Sequence, residues 1–287
     1  MPIKTNLEDL RDRKLKFGVE IQLVSRAYFA PEILQDGMIR VFPWDTEVTS
    51  WTLRRMRQPR FHAYIADLAQ KLADWKDVDI LRVPIGDINT VNLVGRAMAY
   101  PSPVHYHYNC PHCPHVGTEV IKVPDALERK AEKPADYPGW DETILLDSQD
   151  EVRFRPMEVR DLIDVEERSE DSKRVIDDTT FNVCRQVVAV GGGTPTDMEE
   201  VVRWYRALSP SDAQQLLEDQ KEAHPELETR IAYRCDACDG NFHFTLDFNT
   251  SFFRPDSPRR TEGKAPEVVR PGVEGGGADP GPDQPAG

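Results

Sequence analysis

The chain has 287 residues, enough to bury a sizeable core as one large domain or two smaller ones, and 50 acidic against 36 basic side chains leave it at −14. That balance excludes a face able to neutralise phosphates, so nucleic acid is not an expected partner. The first residues, Met1 to Val19, are charged throughout, unlike a signal peptide, and no apolar run approaches the ~18 residues of a membrane span. A cytoplasmic protein with reduced thiols and no membrane association is the expectation.

In chain order, Val19, Ile21 and Leu23 alternate with polar neighbours as in a short strand, and Met38 to Trp44 reads as another, with Pro43 near its end. Phe61, Tyr64, Ile65, Leu68, Leu72 and Trp75 form one helical stripe after Pro59. Gly86-Asp87 starts a second helix carrying Ile88, Val91, Val94 and Met98, which stops before Pro101. Strands are expected on both sides of Cys110-Pro-His-Cys113. Pro124 to Asp150, rich in proline, lysine and glutamate, reads as a linker or exposed excursion.

Strand character returns at Val152 to Met157, and the charged Val159 to Asp178 reads as a solvated helix. Phe181, Cys184 and Val188 continue a helical stripe to Gly191-Gly-Gly193, with Cys184 as core. Thr196-Asp-Met-Glu199 has the form of a capping box, and Ser209-Pro210 opens a further helix that ends near His224-Pro225. After Cys235-Asp-Ala-Cys238, the alternation of Phe242, Phe244, Leu246 and Phe248 predicts a half-buried strand. From Asp256 onward the composition is that of a disordered tail.

The two CxxC pairs stand 125 positions apart, and at the same shift Asp87 falls on Asp212, Val91 on Leu216 and Tyr108 on Tyr233. Arg40 to Trp44 matches Arg153 to Met157 at a shift of 113, so about a dozen extra residues lie in the second register. The expected organisation is an arm (1–37), a first half with a knuckle and linker (38–150), a second half with a knuckle (151–255) and the tail (256–287). The expected fold class is α+β: two similar helix-rich halves whose short antiparallel strands meet at a zinc-ribbon-like site.

Cys110, Cys113, Cys235 and Cys238 have the spacing of a four-thiolate structural Zn2+ site, since a two-residue spacer lets both sulfurs of a tight turn face one ion. A redox reading of Cys110-Pro-His-Cys113 lacks the helix that would follow such a pair and depress its thiol pKa. His105, His107, His112, His115 and His243 are alternative ligands or exposed neighbours. No HExxH motif or acid–base constellation points to catalysis, and Gly191-Gly-Gly193 lacks the lysine of a phosphate loop. No catalytic residue, organic cofactor or small-molecule substrate is therefore expected.

The run Leu208 to Leu217, the motif Tyr233-x-Cys-x-x-Cys238, the phenylalanine-rich strand and Phe252-Phe253-Arg254-Pro255 together resemble the T-even-type bacteriophage base plate protein family, over about residues 38–255. The resemblance implies a non-catalytic structural or assembly role in the baseplate hub of a phage or contractile injection system. Other baseplate and tail proteins would be its partners, in the bacterial host cytoplasm or in a phage-like particle. A cytosolic zinc-ribbon adaptor that binds protein through acidic helices is the alternative, and a zinc-dependent hydrolase a third reading.

Overall fold

The computed structural model describes residues 18–55, 60–99, 104–121, 129–169 and 176–245, all within one compact unit spanning Met1–Pro255. It is an α+β fold of helices with small antiparallel sheets. Strands β1 (Val19–Gln22) and β2 (Met38–Val41) pair antiparallel, from Val19 opposite Val41 to Gln22 opposite Met38. Helices α1 (Thr46–Arg55), α2 (Phe61–Leu72) and α3 (Ile85–Ala99) follow. α2 forms on the predicted stripe, burying Tyr64, Ile65, Leu68 and Leu72 against Val91 and Leu93 of α3 and Leu23, Val24 and Val41 of the hairpin. A fully buried leucine such as Leu68 contributes about 1.5–3 kcal/mol, more than an exposed ion pair, so this stripe dominates the first core. Trp75 belongs to that core but not to the helix, which ends at Leu72; its indole folds back to donate to the Ala69 carbonyl (2.9 Å).

The hairpin and helices are joined by polar groups with no access to water. Asp87, fully buried in the first turn of α3, accepts from the Ser25 backbone N–H (3.1 Å) and from the Ser25 hydroxyl. Beyond β2, the Phe42 N–H donates to Leu72 O (2.7 Å), and Val41 bridges Ala73.

After β3 (Val104–Asn109) and β4 (Val116–Ile121), the short β5 (Arg129–Lys130) pairs with β9 (Glu226–Leu227). The predicted linker is thus partly built into the body. Lys133 is buried, ion-paired to Asp141 (2.8 Å), and Tyr137 packs edge-on against Tyr28 while donating to Asp141 (2.6 Å). β6 (Asp141–Ile144) then pairs with β7 (Glu151–Phe154), so the boundary expected at 150/151 falls within a hairpin.

α4 (Val159–Ser169) is not the solvated helix its charge suggests, because Val159 and Asp161 at its start are fully buried. α5 (Asp178–Gln186) is capped by Asp177, which accepts from the Thr180 N–H. The stripe then breaks: Val187–Val190 is not helix but strand β8, antiparallel to β7, with Val187 opposite Phe154. Arg155 N–H donates to Gln186 O (2.8 Å) at this corner. α6 (Met198–Ala207) starts one residue later than the capping box implied. Asp197 is its cap, and Glu200, not Glu199, reaches back to the Thr196 N–H (2.7 Å).

α7 (Pro210–Ala223) has Ser209 as its cap and proline at its first position, as read from sequence. The fully buried Asp212 in its first turn accepts from the N–H groups of Asp147 (2.9 Å) and Ser148 (2.9 Å) in the β6–β7 loop. Leu145, Val152, Phe154, Val183 and Leu216 make a second core. Cys184, as expected, lies buried with Val201 and Val202. β10 (Arg230–Arg234) and β11 (Asn241–Thr245) form the last described hairpin. Leu246, Phe248 and the tail from Asp256 lie outside the described residues, within which no helix is long and apolar enough to cross a membrane.

Gly86 allows α3 to meet the β9 segment, since a Cβ there would lie 2.0 Å from Pro225 O and 2.8 Å from Glu226 Cα. Both are backbone atoms and cannot rotate away. Helix propensity alone would make Gly86→Ala stabilising by about 1 kcal/mol. Overpacking of about 1–3 kcal/mol outweighs it, so a urea titration should give a lower midpoint with an unchanged slope.

Candidate metal centre

The two hairpins β3–β4 and β10–β11 each end in a CxxC turn of the same construction. Cys110 N–H donates to His115 O (3.0 Å), and Cys235 N–H donates to Gly240 O (3.0 Å), closing both turns over five residues. The main chain is thereby curled so that both sulfurs of a pair face the same side. The His112 N–H points at Cys110 Sγ (3.3 Å), an interaction that favours the thiolate.

The four sulfurs of Cys110, Cys113, Cys235 and Cys238 lie within 4.8 Å of one another, although 125 residues separate the pairs. Cys110 Sγ is 3.7 Å from Cys238 Sγ and Cys113 Sγ is 3.8 Å from Cys235 Sγ. Exchanging the two knuckles converts one distance into the other. A tetrahedron with ~2.3 Å metal–sulfur bonds has edges of ~3.8 Å, so the donors match in chemistry and spacing a metal ion held by four thiolates. Cys110 and Cys235 are buried, Cys113 half-buried and Cys238 exposed.

Ionisation is shared unevenly. Burial pushes the Cys110 thiol up, but the His112 and Cys113 N–H groups and the thiols of Cys235 and Cys238 outweigh it and bring it down to about 7. At Cys238 the Gly240 N–H favours the thiolate, yet partial loss of hydration at the sulfur and the crowding of Cys113, Cys110 and Cys235 push the pKa up to about 12, although the residue as a whole is exposed. One thiolate forms readily and disfavours the next, so four together require a cation, and metal uptake releases protons.

Next to the sulfurs, an aromatic cluster holds the hairpins together. Tyr108 and Tyr233 meet at 4.7 Å between centroids with their hydroxyls 3.1 Å apart, and Phe242 lies 5.3 Å and 5.5 Å from them. Gly117, opposite Tyr108 in β4, leaves room for that ring; a Cβ there would lie 2.3 Å from the tyrosine oxygen.

Among the described residues, the histidines do not join the four cysteines. His112 Nε2 lies 3.0 Å from Asn241 O, His115 contributes its carbonyl to the turn, and His243 is exposed. The side chains of His105 and His107 lie outside the described residues. Comparison of the chain with protein-family models, curated proteins and solved structures gave no match.

Proposed function

We propose that this is a non-catalytic structural or assembly protein of a phage-like contractile tail baseplate, clasped by one structural zinc ion. The observation that carries the zinc is the pair of 3.7 Å and 3.8 Å sulfur separations between knuckles. Four thiolates fill the coordination shell of zinc and leave no position for substrate or water, which is the reason for reading the metal as architectural. The baseplate role rests on the sequence resemblance at Leu208 to Leu217, Tyr233 to Cys238 and Phe252 to Pro255.

The proposal includes two similar halves related by a local twofold through the metal. It is supported by bonds at corresponding places in the two halves, within a few residues of the shifts read from sequence. Buried Asp87 and Asp212 both hold the loop of a preceding hairpin from the first turn of a helix. Phe42 to Leu72 and Arg155 to Gln186 are matching main-chain bonds at the corner after β2 and β7. α6, which has no counterpart between α2 and α3, accounts for the dozen residues between the two registers.

Elemental analysis of the purified chain should find one zinc per chain, and cobalt substitution should give the absorption of a tetrahedral thiolate site. A second equivalent, or none, sinks the shared site. For the baseplate role, neighbouring genes should encode sheath, tube and spike proteins, and deletion of this gene should leave cells without assembled tails. Normal tails in the deletion strain would refute it.

A further inference from the structure

The two knuckles share a main-chain form but differ in what they place between them. His112, the third residue of the first CxxC turn, reaches out of its own knuckle. Its Nε2 lies 3.0 Å from the carbonyl oxygen of Asn241, the first residue of β11. A carbonyl only accepts, so the imidazole carries a proton on Nε2 and donates it across the junction. The N–H of the same residue points back at Cys110 Sγ (3.3 Å). One residue thus touches a sulfur of its own knuckle through its main chain and the strand leaving the other knuckle through its ring.

The second knuckle is shaped to receive that ring. Gly240 stands where the imidazole crosses: a Cβ there would lie 2.6 Å from His112 Cδ2, 3.1 Å from His112 Cγ and 3.3 Å from Cys238 Sγ. The ring and the Cys238 sulfur therefore flank the same glycine. Cys238 is the exposed one of the four cysteines, and Gly240 closes its turn by accepting from the Cys235 N–H (3.0 Å). The contact is not returned. At the shift of 125, Ala237 takes the place of His112 and has no polar side chain to extend, and His115 takes the place of Gly240.

We propose that His112 is a positioning residue of the metal centre, a latch that ties the second knuckle to the first and holds the exposed ligand Cys238 in place. This role rests on the four-thiolate reading of the site. The hydrogen bond adds no donor to the ion. It fixes the turn that carries one, so less freedom is lost when metal binds. Tyr108, Tyr233 and Phe242 hold the strands of the two hairpins, whereas His112 acts on the turn itself. A chelator must displace the sulfurs one at a time, and the exposed Cys238 is the one it meets first. The latch therefore acts mainly on the rate of zinc release.

Transfer of zinc from the full loaded chain to an excess of chromogenic chelator measures that rate, and competition titration gives the affinity. His112→Ala should still bind one zinc per chain but release it faster and hold it about tenfold more weakly, the low end for an outer partner of a ligand. His112→Gln, whose amide can place an N–H near the position of Nε2, should recover most of the loss, and His112→Phe, which keeps a ring without the donor, should not. Gly240→Ala puts a methyl where the ring lies and should match His112→Ala; in the His112→Ala background it should add almost nothing. Cobalt-loaded parent and His112→Ala should absorb alike, because the same four sulfurs bind the ion. A parent chain that takes up no metal sinks the four-thiolate reading and the latch with it. With metal bound in the parent, unchanged release and affinity in His112→Ala would overturn the latch alone. An altered cobalt spectrum would make His112 a ligand, and equal losses in the Gln and Phe variants would assign the effect to packing; either overturns the proposal. Additive losses in the double variant would separate Gly240 from the ring and overturn it equally.

Discussion

Cys235→Ser is expected to lose zinc while the helices stay folded. Cys235 is the fully buried member of the second knuckle, 3.8 Å from Cys113 Sγ, and a serine hydroxyl is a poor substitute for a soft thiolate. Removing an outer-shell partner of a metal ligand already costs ~10–100-fold in affinity, and losing the ligand itself should exceed that. The main core of Leu23, Leu68, Leu72, Ile88 and Leu93 lies in the hairpin β1–β2 and helices α2 and α3, not in the knuckles. Without metal the two CxxC hairpins keep the contacts of Tyr108, Tyr233 and Phe242 and the approach of His112 Nε2 to Asn241 O (3.0 Å) across their interface. Far-UV circular dichroism should therefore change little, whereas hydrogen exchange in β3, β4, β10 and β11 should accelerate strongly. Stoichiometric zinc in the variant, or exchange in these strands as slow as in the parent chain, would overturn the clasp.

The second large effect is expected far from the cysteines, at Asp161. This fully buried carboxylate accepts two hydrogen bonds from Arg155 (2.7 Å and 2.8 Å) and one from the Glu158 N–H (2.9 Å), and Arg185 Nε lies 3.4 Å away. Arg155 also donates to Arg185 O (3.0 Å), so one guanidinium fastens the β7 corner to both α4 and α5. Asp161→Ala leaves the half-buried Arg155 with only the more distant Glu158 (3.8 Å) as counter-charge, which costs about 3 kcal/mol and lowers Tm by roughly 6–12 °C in a chain of this size. The exposed pair Arg60–Glu167 (2.8 Å) serves as the control, where Glu167→Ala should change stability by less than about 1 kcal/mol. Equal effects at the two sites would show that burial does not set the strength of these pairs.

Elements whose side chains repeat with a clear period were legible before folding. α2 and α3 carry long apolar stripes, α7 opens on Ser209-Pro210, and the CxxC spacing singled out the four cysteines. What escaped was set by tertiary contact. α1 buries only Val48 and Thr52 among its described side chains, too few for a stripe. Lys133 reads as solvent-facing, yet Asp141 and Tyr137 make its burial tolerable. β8 continues an apolar run begun in α5 and becomes strand because β7 offers an edge.

The clasp also has a consequence in time. Cys113 and Cys235 are 122 residues apart, and at ~5–20 residues per second a ribosome needs roughly 6–24 s to cover that interval. Throughout it, the first knuckle exists with two sulfurs and no partner, able to hold a metal ion only half-enclosed or to exchange with other thiols. The hairpin β1–β2 and helices α2 and α3 have all left the ribosome by then and can already pack. A metal ion held by these four sulfurs would thus close its site only after the second pair of cysteines had been made, when the hairpin β1–β2 and helices α2 and α3 were already synthesised.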